Sequence, residues 1–318
     1  MGGSIWFPLL AFVTTAPHGR TLSAPTFGWA TQLTGSNNIH TDGLAPDGAG
    51  GAIVAGHLHF KGTATFGSTT LTSSGLFDGY VARLDSSGSV SWAVRYGGAS
   101  AVSTYSAAAD GSGGAWVVGS FEGSATFGSS TLTSAGGADM FVFSVDSSGS
   151  IGWAVSASGS DAVVPRSVAA DGTGGLLVVG RFKVSATFGS TTLTSSGNSD
   201  LYVARLTSLG AFSWAVNAGS SSDLVRGYAV APDGSGGALV TGSFMGTATF
   251  GSTTLTASGT NEDVYVLRID SSGSVSWAIR MGSSLRDRGR GIAADDAGGA
   301  FVTGYFKDTG NCSPRPHA

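Results

Sequence analysis

The stretch Asp139–Trp153, Asp-Met-Phe-Val-Phe-Ser-Val-Asp-Ser-Ser-Gly-Ser-Ile-Gly-Trp, contains an apolar run, a Ser-Gly turn and a tryptophan. The same arrangement recurs at Asp78–Trp92, Asp200–Trp214 and Asp263–Trp277. The apolar runs are rich in β-branched and aromatic residues, which favour strands, and Asp-Ser-Ser-Gly is typical of a turn. The sequence therefore predicts a chain built from copies of one β unit.

Three markers give the length of this unit. Five tryptophans follow one another at steps of 63, 61, 61 and 63 residues. The aspartates that open the Asp-Gly-type turns step by 63, 61, 62 and 62, and the phenylalanines of Ala-Thr-Phe-Gly-Ser by 61, 61 and 62. The agreement of the three series indicates a repeat protein with a unit of about 61 residues.

The second unit shows the order of elements expected in each repeat. Turn residues at Asp110–Gly114 separate a short strand from an apolar strand that should be buried on both faces. The Gly128-Ser129 pair suits a two-residue type II′ hairpin with a solvated threonine face. The predicted strands and hairpin are Ser106–Asp110, Ala115–Phe121, Ala125–Thr133, Phe141–Val145 and Ile151–Val155.

This order predicts an all-β fold, a β-propeller with blades of about 61 residues, each with four antiparallel strands and an inserted hairpin. Residues 40–95, 104–156, 165–217 and 227–280 form four complete units. Residues 290–306 supply two strands of a fifth blade, which Phe27–Leu33 could complete by closing the ring. An open fragment of a longer propeller and a β-solenoid are the alternatives.

The unit Ala-Ala-Asp-Gly-Ser-Gly-Gly-Ala-Trp-Val-Val-Gly-Ser-Phe, followed by Asp139–Trp153, resembles the SBBP-type β-propeller repeat of extracellular and surface proteins. The resemblance covers about residues 27 to 306, although this unit is longer than the simplest form of that repeat. It implies a propeller that is exported. It supplies no catalytic motif.

Composition and the chain ends narrow the possible functions. A net charge of -4 with no basic stripe argues against nucleic acid, and the single Cys312 excludes an intrachain disulfide. Residues 1–26 are expected to be a leader, either a signal peptide cleaved after Ala16 or a disordered segment. Residues 27–306 form the repeat domain, residues 307–318 a disordered tail, and no transmembrane segment is predicted.

The repeated aspartates are predicted to have structural roles and not metal-binding or catalytic ones. Calcium needs several carboxylates in one loop, whereas each Asp-Ser-Ser-Gly or Asp-Gly-Ser-Gly-Gly turn holds one, so an Asx-turn is the preferred interpretation. A second aspartate opens the third strand of every complete unit, and its repetition indicates a structural hydrogen bond. These aspartates are Asp78, Asp139, Asp200 and Asp263.

Histidine could offer a metal site in the first unit. His57 and His59 are two residues apart and share one side of an extended strand, with His40 as a distant third ligand. A solvated, bulged edge explains the same pair, and no metal or other cofactor is assigned. We find no nucleophile motif and no phosphate loop, so no catalytic residue is assigned.

The connections between units differ in sequence and hold much of the scarce charge, so they are the predicted binding face. The predicted function is a non-enzymatic, monomeric, extracellular or cell-surface scaffold that binds an unknown protein or glycan. The alternatives are a propeller hydrolase or lyase with converging carboxylates at the axial face, and a structural filler without a ligand. The candidate binding residues are Asp161, Arg166, Asp223, Arg226, Arg286, Asp287, Arg288 and Arg290.

Overall fold

The computed structural model describes residues 9–13, 27–59, 61–220, 224–295 and 297–307. In these residues every regular element is a strand, the strands pair in antiparallel ladders, and no helix is present. The all-β prediction is confirmed. The buried strand predicted at Ala115–Phe121 has these bounds in the structure, and all seven of its residues are buried.

The strands are numbered in chain order. Three precede the first complete unit, namely β1 (Leu9–Val13), β2 (Phe27–Gln32) and β3 (Thr34–Gly35). Unit 1 contains β4 (Ile39–Pro46), β5 (Ala52–His59), β6 (Thr63–Phe66), β7 (Thr69–Thr72), β8 (Phe77–Leu84) and β9 (Val90–Tyr96). Unit 2 contains β10 (Val102–Ala109), β11 (Ala115–Phe121), β12 (Ser124–Phe127), β13 (Ser130–Thr133), β14 (Asp139–Val145) and β15 (Ile151–Gly159).

Units 3 and 4 repeat this order. Unit 3 contains β16 (Val163–Ala170), β17 (Leu176–Phe182), β18 (Ser185–Phe188), β19 (Thr191–Thr194), β20 (Asp200–Leu206) and β21 (Phe212–Ala218). Unit 4 contains β22 (Val225–Pro232), β23 (Ala238–Phe244), β24 (Thr247–Phe250), β25 (Thr253–Thr256), β26 (Asp263–Ile269) and β27 (Val275–Met281). The final pair is β28 (Arg288–Ala294) and β29 (Ala300–Tyr305).

Each complete unit forms one four-stranded meander from its first, second, fifth and sixth strands. The strand orders are β4-β5-β8-β9, β10-β11-β14-β15, β16-β17-β20-β21 and β22-β23-β26-β27. We call these sheets 1 to 4, and the pair β28-β29 sheet 5. The predicted order of strands within a unit is therefore confirmed, and the first strand of each complete unit lies at an edge of its four-stranded meander.

The inserted hairpin joins each unit to the one before it. In unit 3, β18 pairs with the end of β15, through Ser158 opposite Thr187 and Gly159 opposite Ala186. The hairpins of the other units make equivalent contacts with β3, Gly97 and Gly219. Gly128 has a φ of 59° while Ser129 keeps an ordinary negative φ, as the predicted type II′ turn requires. The hairpin thus accounts for the length of the repeat.

Apolar layers lie between successive sheets. One layer combines residues of sheets 1 and 2, another those of sheets 2 and 3, and a third those of sheets 3 and 4. Tryptophans reinforce this packing: the indole Nε1 of Trp92 donates to the carbonyl of Ser147 in the next sheet at 2.9 Å. Trp153 and Trp214 repeat this bond to Ser208 and Ser271. Each sheet therefore buries apolar side chains against its neighbours.

The two ends of the stack do not meet in the described residues. β2 pairs with β1, inside the predicted leader, and its Thr31 hydroxyl donates to the Gly88 carbonyl of sheet 1 at 2.7 Å. β29 pairs with β28, and its Phe301 side chain is 67% exposed. The expected shared fifth blade, with β2 beside sheet 5, is therefore not the pairing found. The rest of the predicted leader and residues 308–318 of the predicted tail lie outside the described residues.

Candidate functional site

The first strand of every sheet contains a β-bulge near its beginning. In β4 the partner of Thr41 is Gly56 and the partner of Gly43 is Ala55, which leaves Asp42 unpaired. The same shift occurs once in β10, β16, β22 and β28. A bulged residue is released from the ladder and its side chain is re-aimed. The five bulged residues are Asp42, Tyr105, Arg166, Tyr228 and Arg290.

These five residues form a continuous row, which we call the bulge row, because the first strands of successive sheets pack side by side. The amide of Val168 donates to Ser106 Oγ at 3.3 Å, which links β16 to β10. Bulged side chains also touch across sheets. The guanidinium of Arg166 lies 5.0 Å from the Tyr105 ring centre, and that of Arg290 lies 4.4 Å from the Tyr228 ring centre. Both are cation-π contacts.

Positive charge accumulates along the middle of the row. Burial lowers the pKa of Arg181 in β17, and the neighbouring guanidinium groups of Arg166 and Arg226 lower it further. In the part of the chain that the structure describes, Nε of Arg166 and Nε of Arg226 are buried without a hydrogen-bond partner. Buried donors without acceptors favour a ligand that brings acceptors. This part of the row is suited to an anion.

A single carboxylate contacts three guanidinium groups at the end of the row formed by sheets 4 and 5. Glu262, which is buried, accepts from Arg226 at 3.2 Å and from Arg288 at 2.5 Å, and lies 3.4 Å from Arg286. Because a single negative charge cannot neutralise three positive ones, this cluster keeps a net positive charge. Arg290 adds a further cation over Tyr228.

The predicted binding residues are only partly where the sequence placed them. Arg166, Arg226, Arg288 and Arg290 lie within first strands and not in the connecting loops, because those strands begin earlier than predicted. They nevertheless belong to the row or flank it. Asp223 lies outside the described residues.

The remaining three predicted residues do lie in connections. Asp161 accepts from the amide of Ala162 at 2.6 Å, and Arg286 is the most exposed of the arginines around Glu262. Asp287 is fully buried and accepts from the amides of Ser283 at 2.6 Å and Lys307 at 2.8 Å. Its carboxylate therefore fixes the start of sheet 5 and is not displayed to a ligand.

Sequence inspection missed Tyr105, Arg181, Tyr228 and Glu262. Tyr105 and Tyr228 lie at bulges, which fall at the same place in each unit, while Arg181 and Glu262 lie on other strands or connections beside the row. A bulge has no residue signature of its own, so the position becomes visible only when the strand pairing is known.

The turn aspartates are structural, as the Asx-turn interpretation requires. Asp47 Oδ1 accepts from the amides of Ala49 at 2.8 Å and Gly51 at 2.7 Å, and its Oδ2 is 2.9 Å from Arg83 NH2. Burial raises the pKa of Asp47, but these hydrogen bonds and the Arg83 charge outweigh it, so the pKa is lowered overall. The strand-opening aspartates are also confirmed as structural: Asp139 accepts from the amides of Ala135 and Gly159.

The histidines of unit 1 are closer than the sequence suggested. The predicted distant ligand His40 lies directly opposite His57, and the ligand nitrogens of His40, His57 and His59 all lie within 4.8 Å of one another. Burial lowers the pKa of His59, and the charges of the other two imidazoles lower it further. The neutral form that ligates metal is therefore favoured at His59.

A cavity of about 710 Å³ lies at the opposite end of the first strands. Its walls are the glycine-rich turns of units 1 to 3, including Asp47 and Asp110. The Asp110 carboxylate accepts from the amides of Ser112 at 2.8 Å and Gly114 at 2.9 Å. Since both carboxylates are engaged by their own turns, the bulge row is the better candidate site.

The fold and the site define a class only broadly, that of all-β proteins with successive four-stranded antiparallel sheets and a row of bulged residues at one edge. No family model matches the chain, and no curated protein matches it. Among solved structures it is similar to "a protein of unknown function from Bacteroides caccae", with a TM-score of 0.37 and 12% identity, over 80% of this chain and 85% of that one. This likeness is too weak to support an inference. Within the described residues, no helix has the length and apolarity to cross a membrane.

Proposed function

We propose that this chain is an extracellular or cell-surface β-propeller of the SBBP type that acts, without catalysis, as a scaffold binding an anionic protein or glycan. Support for the propeller comes from four meandering sheets in chain order, sealed by apolar layers and packed through their first strands. Repeated sheets arranged in this way around an axis would place the bulge row along the axial face.

The bulge row carries the proposal about the ligand. Burial lowers the pKa of Arg181, and the nearby charges of Arg166 and Arg226 lower it further. Arg166 and Arg226 each keep a buried Nε donor without an acceptor in the described residues. A carboxylate or sulfate would supply those acceptors and relieve the mutual repulsion, and arginine recognises such groups through two parallel hydrogen bonds.

The runner-up, a hydrolase or lyase, needs at least two carboxylates free to act on one substrate. Glu262 is already paired with three arginines, and Asp42 lies 3.0 Å from Nδ1 of His57. Their separate locations, with Asp42 in β4 of sheet 1 and Glu262 just before β26 of sheet 4, also favour binding over catalysis.

The test compares charge removal at the row with equal charge removal elsewhere. The double variant R166Q/R290Q should weaken binding of a sulfated or carboxylated polysaccharide at least about 100-fold, since each of the two lost charged hydrogen bonds contributes about 1.5–3 kcal/mol and every 1.4 kcal/mol is about a factor of ten. Calorimetric titration with heparin, polygalacturonate and poly-glutamate would measure this effect and rank the ligand classes.

The matched control is R205Q/R268Q, which removes two positive charges from turn-bound arginines outside the row. It should leave polyanion affinity within about twofold, because these guanidinium groups pair with turn aspartates at the opposite end of the sheets and salt screens charges over that distance. Equal losses in the two doubles, with unchanged melting temperatures, would show that any attraction is non-specific. Failure of all three probes to bind wild-type protein would reject the proposal.

A further inference from the structure

The bulge in β4 brings three histidines together on one face. Without it, the ladder that pairs Gly43 with Ala55 would place His40 opposite Leu58, and a one-residue change of register moves a side chain to the other face. With Asp42 left out of the ladder, His40 pairs with His57 instead. His59 is two residues beyond His57 in β5 and so lies on the same face.

The geometry of the three imidazoles is compact. The ring centres of His40 and His57 are 4.8 Å apart, those of His40 and His59 4.6 Å, and those of His57 and His59 5.3 Å. Tetrahedral zinc with bonds of about 2.0–2.1 Å needs nitrogens about 3.4 Å apart, whereas the ligand nitrogens here lie within 4.8 Å of one another. The rings of His40 and His57 are stacked at an interplanar angle of 3°, so metal binding requires an approach of up to about 1.4 Å and a rotation of the rings toward one ion.

Asp42 orients the cluster from outside. Its Oδ2 lies 3.0 Å from Nδ1 of His57, at ion-pair distance although not aligned as a hydrogen bond. Metal-bound histidines commonly give their second nitrogen to a carboxylate, which fixes the ring and leaves the other nitrogen for the metal. Here that leaves Nε2 of His57. His59 packs edge-on against Phe77 with ring centres 4.4 Å apart, which restricts its rotation.

The fold of the unit does not require these histidines. The positions of unit 2 that correspond to His40, His57 and His59 by bulge and register are Ser103, Ser120 and Glu122. The same strands form with the same bulge in both units. Three separate positions contribute to this cluster, and the fold does not require it. Such a cluster indicates that a ligand binds there.

We propose that His40, His57 and His59 form a binding site for a divalent transition-metal ion of the zinc class, with Asp42 as the group that positions His57. Imidazole is a preferred ligand of Zn²⁺, Co²⁺, Ni²⁺ and Cu²⁺. Three protein ligands leave one coordination position, and the exposure of His40 keeps it accessible to water or to a bound molecule. The proposal does not depend on the anion site.

The experiment uses untagged full-length protein and two variants that each remove two of its five histidines. H40S/H57S carries the serines of unit 2 at the corresponding positions, and H18S/H317S removes the two histidines outside the cluster. Titration with ZnCl₂ should give one site in the wild type and in H18S/H317S, and at least a 100-fold weaker Kd in H40S/H57S. D42N should weaken binding about 10- to 100-fold, as expected for an orienting carboxylate.

Co²⁺ provides an independent readout, since tetrahedral coordination gives visible absorption bands that H40S/H57S should lack. If that variant fails to fold, protection of the wild type from diethyl pyrocarbonate replaces it. Zn²⁺ should then protect His40, His57 and His59 and leave His18 and His317 reactive. Unchanged Zn²⁺ affinity in folded H40S/H57S, loss of binding in H18S/H317S, or equal protection of all five histidines would each overturn the site.

Discussion

Sheets 1 and 4 share one plan and carry different chemistry. Phe66 and Phe250 are both fully buried, and Asp47 and Asp233 hold Arg83 and Arg268 through the same contacts. At the bulge end, however, sheet 1 presents His40 opposite His57, whereas sheet 4 presents Arg226 opposite Ser243. The interactions that determine the fold are thus physically separate from the positions that vary.

The hairpin phenylalanines should give the largest effect, and the same one in both sheets. F66A and F250A each leave a cavity beneath a hairpin, and each should lower the free energy of unfolding by about 3–5 kcal/mol. Urea unfolding followed by tryptophan fluorescence measures this loss. F301A, at a 67% exposed position, serves as the control and should stay within about 0.5 kcal/mol of wild type. If F250A lowered the free energy of unfolding and F66A did not, the two sheets would not be equivalent.

Substitution of the turn aspartates should lower the free energy of unfolding by an intermediate amount that depends on pH. The pKa values of Asp47 and Asp233 are lowered: burial raises both, but hydrogen bonds and the arginine partners prevail. Their stabilisation is therefore complete above the unfolded pKa of about 3.9 and is lost as pH falls through the folded pKa. At pH 7, D47N and D233N should each cost about 1–3 kcal/mol.

Unfolding of these two variants and the wild type at pH 7, 5 and 3 would check the sign. The gap between variant and wild type should be similar at pH 7 and 5 and smaller at pH 3. If the stability difference between variant and wild type grew as the pH fell, the lowered pKa would be contradicted. If only one of the two variants lost stability, sheets 1 and 4 would also differ at the turn end.

The tryptophans should give the smallest effect, and here the sheets should differ. W92F loses the hydrogen bond to Ser147, while the Trp277 indole has no acceptor in the part of the chain described. Trp92 also packs against the apolar layer between sheets 1 and 2, so W92F should cost at least about 0.5–1.5 kcal/mol more than W277F. Paired thermal and urea unfolding would measure the difference. Equal losses would indicate that the indole bond contributes nothing.

Much of the fold could be predicted because its signals are local. The strand at Ala115–Phe121 and the turn at Gly128-Ser129 follow from apolar runs and from glycines that adopt positive φ. The pairing of each hairpin with the preceding unit was missed, since these contacts join residues 27 to 31 positions apart, such as Ser158 and Thr187, and leave no mark on the local sequence pattern. The pairing of β2 with β1, found in place of the predicted shared blade, likewise depends on contacts that local pattern does not show.

The candidate site was harder to predict for a related reason. Arg166 and Arg290 were identified from their charge, but their neighbours Tyr105 and Tyr228 resemble ordinary strand residues. His40 was separated from His57 by sequence distance, and only the one-residue shift at Asp42 places them side by side. The charge of a residue is known from the sequence, whereas the register of paired strands is known only from the folded structure.

The bulge also bears on how such a protein can change over time. A bulged residue is left unpaired by the ladder, so its side chain need not satisfy the alternation that the core imposes on its neighbours. Substitutions at residues 42, 105, 166, 228 and 290 can therefore change the chemistry of the row without disturbing the alternation that buries their neighbours. This independence makes the repeat an adaptable starting point for new specificities, both in evolution and in the laboratory.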